Sequence, residues 1–246
     1  MKNINWSELG FGYFKTDYNV RCEYKDGKWG ELYATEDVNM NIHMASTCLH
    51  YGQEVFEGLK AFRGADGKVR LFRVEENAKR MINSGEYLKM AVPSVELFTK
   101  ACIEAVKLNA DYIPPYGSGA SLYLRPMLIG VGPQVGVKPS ADYLFAVFVT
   151  PVGPYYKDGF NCIKVIIDYD HDRAAPKGTG HVKVGGNYAA SLDSGEIAHQ
   201  KGFASVIFLD PATKQYIDEC SAANFFGIRD GKYITPDSHS VLPSIT

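Results

Sequence analysis

Apolar and polar positions alternate in short bursts through the first 72 residues, and each burst is closed by a turn signal. Asp26-Gly27 separates CEYK from KWGELYA, and Asp66-Gly67 separates LKAFR from KVRLF. Asp-Gly between β-formers accepts the positive φ angles of a tight turn, so both pairs predict hairpins. The period then lengthens. Ala78, Met81, Ile82 and Leu88 share one face over 74–89 and predict a helix. Pro93-Ser94 starts a second helix, with Val95, Phe98, Ala101, Cys102, Ala105 and Val106 at helical spacing.

Two apolar runs of strand length follow, SLYLRPMLIG (121–130) and YLFAVFVTP (143–151). The second predicts a strand buried on both faces. Pro126 places the first near an edge or a bulge. PVGPYYKDG (151–159) holds two prolines and two glycines in nine residues and predicts a linker. Beyond it come strand CIKVIID (162–168), a glycine-rich loop, a helix near 188–201 and strand SVIFLD (205–210). Turns at Asp210–Lys214 and Asp230-Gly231 predict two more hairpins. Strand runs with clustered helices give an α+β class. The expected organisation is a smaller α/β domain over 1–150, a linker over 151–159 and a larger domain over 160–246.

Composition narrows the function classes. The chain has 246 residues, 46% hydrophobic and 13% aromatic, which is the reverse of a disordered chain. Its formal charge is 26 − 28 = −2, so no net basic field recruits nucleic acid or an anionic membrane. No stretch approaches the roughly 20 apolar residues of a membrane span. The N-terminal MKNINWSELGFGYFK has neither the apolar core of a signal peptide nor the bias of a transit peptide. Cys22, Cys48, Cys102, Cys162 and Cys220 are scattered without a C-x-x-C pair. That argues against a disulfide framework or a zinc site and for a reducing, cytoplasmic compartment.

The loop Gly178–Tyr188 carries the strongest chemical signal. Four glycines fall within 178–186, and Lys183 sits among them. Neither nucleotide fingerprint fits, because Lys183 precedes its glycine pair and Pro176 separates the loop from the preceding strand. On its own the loop suits equally a surface turn with a solvated lysine and a desolvated lysine tuned for nucleophilic use.

The segment GTGHVKVGGNYAAS (178–191) resembles the cofactor-lysine segment of the branched-chain amino acid aminotransferases, a group of class IV pyridoxal-phosphate enzymes. LHYGQEVFEGLKAF (49–62), VRLFRVEENAKRM (69–81), SLYLRPMLIG (121–130), YIDECSAANFFGI (216–228) and VLPSIT (241–246) resemble the same family in the same order. The resemblance implies the fold-type IV architecture, two α/β domains with pyridoxal phosphate at their junction. It also implies a homodimer with shared active sites.

Roles follow residue by residue. Lys183 matches the lysine that bonds the cofactor aldehyde and then carries the substrate proton. Glu219 matches the carboxylate beside the pyridine nitrogen, which leaves adjacent Asp218 as a solvated acid. Arg73 matches the phosphate-binding arginine, with Arg70 left as a surface residue. Tyr188 matches the tyrosine on the ring oxygen, and Leu242 a residue pressing on the ring face. Ile245 and Thr246 match a phosphate cradle at a helix N-terminus. Tyr51, Phe56, Tyr123 and Tyr155 match the aromatic substrate pocket, although plain core packing suits Phe56 nearly as well. Arg125 with Tyr51 matches groups that engage a substrate carboxylate. Val135 and Val137 match residues that reach the neighbouring subunit's site. His181 borders the lysine with no implied part in catalysis.

The implied reaction moves the amino group of leucine, isoleucine or valine to 2-oxoglutarate, giving branched 2-oxo acids and glutamate. D-amino-acid transaminase and aminodeoxychorismate lyase would keep Lys183 and Glu219, but SLYLRP and HYGQEVFEG argue against both. The alternative outside the class is an inactive fragment serving as a binding or oligomerising module. That alternative arises because the matching proteins continue beyond Thr246. The resemblance thus implies a C-terminally truncated second domain that binds the cofactor poorly or not at all. Eukaryotic members carry a redox C-x-x-C in a C-terminal region that this chain does not reach, so the resemblance implies no redox switch here.

Overall fold

In the computed structural model, which describes residues 2–155 and 161–246, both N-terminal Asp-Gly pairs turn the chain back on itself. Asp26 and Gly27, at φ 52° and 76°, join β1 (Asn19–Lys25) to β2 (Lys28–Trp29). These left-handed angles are what an Asp-Gly pair adopts most readily. β3 (Tyr33–Thr35) also pairs with β1, and α1 (Thr47–Tyr51) ends at Gly52. β4 (Glu54–Phe56) and β5 (Leu59–Arg63) follow, and Asp66-Gly67 carries β5 into β6 (Val69–Leu71).

Two helices come next, α2 (Val74–Tyr87) and α3 (Val95–Leu108). Ser94 caps α3 by accepting a hydrogen bond from the Leu97 amide at 3.2 Å. β7 (Ser121–Gly130) and β8 (Tyr143–Val152) complete an antiparallel sheet ordered β2-β1-β8-β7-β5-β6, with β3 on β1 and β4 on β7. Phe98 of α3 stacks on Phe145 of β8 with centroids 5.8 Å apart. Ala101, Cys102, Leu122, Leu124 and Val147 are buried with them. Each large apolar side chain buried there stabilises the unit by about 1.5–3 kcal/mol.

Two expectations about proline change. β7 is an inner strand, not an edge. Pro126 fits because β5 pairs with residues 122–124 and β4 with residues 127–129, so the proline falls in the gap between them. The Pro126 carbonyl still accepts from the Glu57 amide at 2.8 Å. Likewise, the expected linker starts too early, because Pro151 and Val152 belong to β8. The pairing of β1 along β8 ends at Val147, so Pro151 removes no donor needed on that side. Residues 156–159 of that linker lie outside the described residues. The chain divides into units Met1–Phe160 and Asn161–Thr246.

The second unit begins with β9 (Val165–Asp168), shorter than the predicted 162–168. The single helix predicted near 188–201 is two helices, α4 (Gly185–Ala190) and α5 (Leu192–Gln200), meeting at Ser191. β10 (Ser205–Leu209) runs parallel to β9, and β11 (Ile217–Cys220) antiparallel to β10. Ala198 of α5 packs with Val206, Phe208, Ile166 and Phe203 to form the unit's core. Asp230-Gly231 joins β12 (Gly227–Arg229) to β13 (Lys232–Ile234) as a separate hairpin.

Candidate active site

Lys183 stands in the loop between β9 and α4, flanked by buried Val182 and Val184. Asn187 of α4 fixes this loop from inside. Its amide donates to the carbonyls of Thr179 (2.7 Å) and Val182 (3.1 Å), and its oxygen accepts from the Thr179 hydroxyl at 2.6 Å. Gly180 packs against the backbone of Ser240, where a Cβ would lie 2.2 Å from the Ser240 carbonyl oxygen. The glycine is therefore required by close approach rather than by an unusual φ. Five residues beyond the lysine, on the first turns of α4, the Tyr188 hydroxyl accepts from Lys183 Nζ at 2.5 Å.

Glu219 lies on β11, only 5% exposed. Its Oε1 accepts from the Asn224 amide at 2.8 Å, and its Oε2 from the Leu242 amide at 3.4 Å. Arg173 Nη2 approaches Oε2 to 2.7 Å. Burial pushes the Glu219 carboxyl up to about 7, against the pull of Arg173, the Leu242 amide and Lys183. Adjacent Asp218 is not the solvated acid expected. It is 4% exposed and accepts from the Ser240 hydroxyl, because the returning 238–242 segment covers that side of β11. Asn224 also donates to the Leu242 carbonyl at 2.8 Å, so Leu242 is held beside Glu219 through both its amide and its carbonyl. Ile245 and Thr246 lie in irregular chain without a helix.

In the first unit, Arg73 caps the N-terminus of α2 and takes a left-handed φ of 49°. That conformation is uncommon for a non-glycine residue and collects at binding sites. Arg70 is a surface residue paired with Asp66 at 2.6 Å. The aromatic residues form a cluster on the sheet. The Arg125 guanidinium lies 4.8 Å from the Phe56 ring centroid and donates to the Tyr123 hydroxyl at 3.2 Å. Phe11 bridges Tyr123 and Tyr155 edge-on, with centroids 5.2 and 5.4 Å away. Gly58 leaves room for this, since a Cβ there would lie 2.3 Å from the Tyr123 hydroxyl. Tyr51, Val135 and Val137 make a second group. The Tyr51 hydroxyl donates to the Val135 carbonyl, and both valines are 85% exposed.

Three polar residues with contacts in these groups receive no role from the hydrophobic pattern or the resemblance, although Lys60 and Asn187 lie inside the matching segments. Asn187 and Arg173 act across chain separations that no periodicity marks. Lys60 is directly opposite Tyr123 in register, with its ammonium 6.0 Å from the Phe11 ring, and burial lowers its pKa. A single lysine interrupting the apolar run of LKAFR is its only trace.

An amine hydrogen-bonded to a phenol, with a buried carboxylate in the same unit, suits enzymes that work through a carbonyl-bearing pyridine. The comparisons agree. The amino-transferase class IV family matches residues 54–246, and the chain belongs to that family. A branched-chain-amino-acid aminotransferase of Haemophilus influenzae is 54% identical over 252 aligned residues, covering 100% of this chain and 73% of that protein. The branched-chain amino acid aminotransferase of Escherichia coli superposes with a TM-score of 0.74 at 27% identity, over 94% of this chain and 71% of that one. A T.th. enzyme of the same name, complexed with N-(5'-phosphopyridoxyl)-L-glutamate, superposes with a TM-score of 0.71 at 27% identity, over 95% of this chain and 71% of that one. Within class IV, the chain stands with the branched-chain-amino-acid aminotransferases.

Proposed function

We propose that the chain is the catalytic part of a branched-chain amino acid aminotransferase, moving the amino group of leucine, isoleucine or valine to 2-oxoglutarate with pyridoxal phosphate on Lys183. The observation that carries this reading is the 2.5 Å contact between Lys183 Nζ and the Tyr188 hydroxyl, in the unit that also buries Glu219. The donor set fits the cofactor: an amine able to bond an aldehyde, a phenol able to meet a ring oxygen, and a carboxylate able to accept from a ring nitrogen.

When bound, pyridoxal phosphate supplies a conjugated ring that accepts the electron pair left when the substrate Cα loses its proton. The chain's residues do the rest. Lys183 Nζ takes the proton from the substrate Cα as a general base and returns it as a general acid. Glu219 would accept from the ring nitrogen and keep it protonated. The Tyr188 hydroxyl would be the donor for the ring oxygen, and Leu242 would lie against the ring. The Arg73 guanidinium would suit the phosphate by its planar fork, and in the second unit the Ile245 amide and the Thr246 amide and hydroxyl would be donors for it. Phe56, Tyr123 and Tyr155 would wall the amino-acid pocket with Arg125 meeting a substrate carboxylate, and Tyr51, held on the Val135 loop, would reach that carboxylate from the second group.

The protein works as a cytoplasmic homodimer. Two observations support this: all five cysteines are unpaired, and Val135 and Val137 stand exposed on the loop tied to Tyr51. Among the described residues, no helix is long and apolar enough to cross a membrane. The test supplies pyridoxal phosphate and screens L-leucine, D-alanine and aminodeoxychorismate, then reduces with borohydride and maps the modified lysine. Turnover of L-leucine and label on Lys183 are expected at saturating pyridoxal phosphate, which offsets the weak cofactor binding that the resemblance implies. Label elsewhere, or turnover of D-alanine alone, would sink the reading.

A further inference from the structure

Arg173 has no part in the roles given above, yet its side chain is only 10% exposed. Its Nη2 lies 2.7 Å from Glu219 Oε2 and 2.9 Å from the Gly180 carbonyl oxygen, and it also donates to the Ser240 carbonyl. These three acceptors come from separate stretches of chain. One is on β11, one is three residues before Lys183, and one is two residues before Leu242. One guanidinium thus joins the carboxylate, the lysine loop and the returning segment.

We propose that Arg173 is the positioning residue for Glu219, holding that carboxylate as an oriented anion toward the cofactor's ring nitrogen and tying it to the loop that carries Lys183. The inference rests on the pyridoxal phosphate reading and adds the group that makes Glu219 competent within it.

Electrostatics explains why such a group is needed. An acid as buried as Glu219 prefers its neutral form, and a neutral carboxyl is a poor partner for a protonated ring nitrogen. The groups facing it are Asp218 and Cys220 on its own strand, Lys183, Arg173, and the amides of Asn224 and Leu242. Phe208, its partner across β10, carries no charge. Asp218 works against ionisation, and Lys183 works for it less strongly than Arg173. Lys183 also gives up its free ammonium whenever it bonds the cofactor. A guanidinium forms no such bond with the cofactor, which makes Arg173 the lasting counter-charge.

The experiment uses the full chain and the variants R173Q, R173K and E219Q. Infrared difference spectra of the cofactor-free protein follow the carboxyl band that E219Q removes, which reports Glu219 alone. In R173Q the Glu219 midpoint is expected to rise by roughly one to three pH units, and in R173K to return most of the way. If R173Q does not fold, R173M removes the same charge with an apolar stem suited to a buried position. An unmoved midpoint in either neutral variant, with lower stability only, overturns the proposal, since a purely structural arginine would give that result. Failure of the cofactor reading looks different. In that case E219Q binds pyridoxal phosphate with unchanged affinity and spectrum, whatever R173Q does to the midpoint.

Discussion

Asp218 and Glu219 are neighbours on one short strand and differ in what covers them. The Ser240 hydroxyl meets Asp218, while a guanidinium and two amides meet Glu219. The consequence for Glu219 is measurable. Its pKa in the folded chain, about 7, lies above its ordinary value of 4.5, so protonation favours the fold. That contribution is complete below the ordinary value and is lost as pH rises through about 7, a change on the order of 3 kcal/mol. Urea midpoints of the cofactor-free chain should therefore fall across this window, and E219Q should flatten the slope. Parallel slopes in the two proteins would show that Glu219 is not the titrating group. Tyr188→Phe tests the phenol that meets Lys183. Losing one hydrogen bond should weaken pyridoxal phosphate binding about threefold to tenfold while leaving the fold intact. An affinity unchanged in fluorescence titration would remove Tyr188 from the site.

Among the elements, the lysine loop depends on how closely its backbone can approach another segment. A Cβ at Gly180 would meet the Ser240 carbonyl oxygen at 2.2 Å and its Cα and carbonyl carbon at 2.7 Å, all backbone atoms that cannot swing away. Gly180→Ala should cost about 2 kcal/mol or more in the cofactor-free chain. Gly186→Ala should be neutral or stabilising, because nothing lies within 4 Å and a helical alanine is favoured over glycine. Equal melting temperatures for the two variants would contradict this assignment. Elements of this kind were legible in different degrees. Hairpins at Asp26-Gly27 and Asp230-Gly231 and the helix capped by Ser94 could be read directly, because turn chemistry and capping are local. The lysine loop could be found from its glycines, but not its fastening. Asn187 and Arg173 bind carbonyls whose positions depend on the folded path of the chain. Pro126 misled for the same reason: a proline is excluded from an inner strand only where a partner needs its donor, and here the partners leave a gap.

At the scale of the whole molecule, the chain divides between residues 160 and 161, after a strand that runs to Val152. Each unit has its own core, one built by α2 and α3 on the large sheet and one by α5 on β9 and β10. The first unit also contains a buried charge pair that its hydrophobic pattern did not reveal. Glu57 is fully buried between β4 and β5, with Arg80 Nε at 2.7 Å from one oxygen and Arg80 Nη2 at 2.8 Å from the other. Asn77 donates a third bond at 2.7 Å. The pair fixes the break between the two strands, next to Phe56 and Gly58. Removing one partner from such a pair leaves a charge without compensation in the interior, which costs about 3–5 kcal/mol. Arg80→Met should therefore destabilise the first unit by roughly that amount. Because the cores are separate, hydrogen exchange should register the loss along β5, β7 and β8 while β9, β10 and β11 keep their protection. Equal loss of protection in both units would mean that they unfold as one cooperative body, and an unchanged pattern would mean that Glu57 finds another partner when Arg80 is gone.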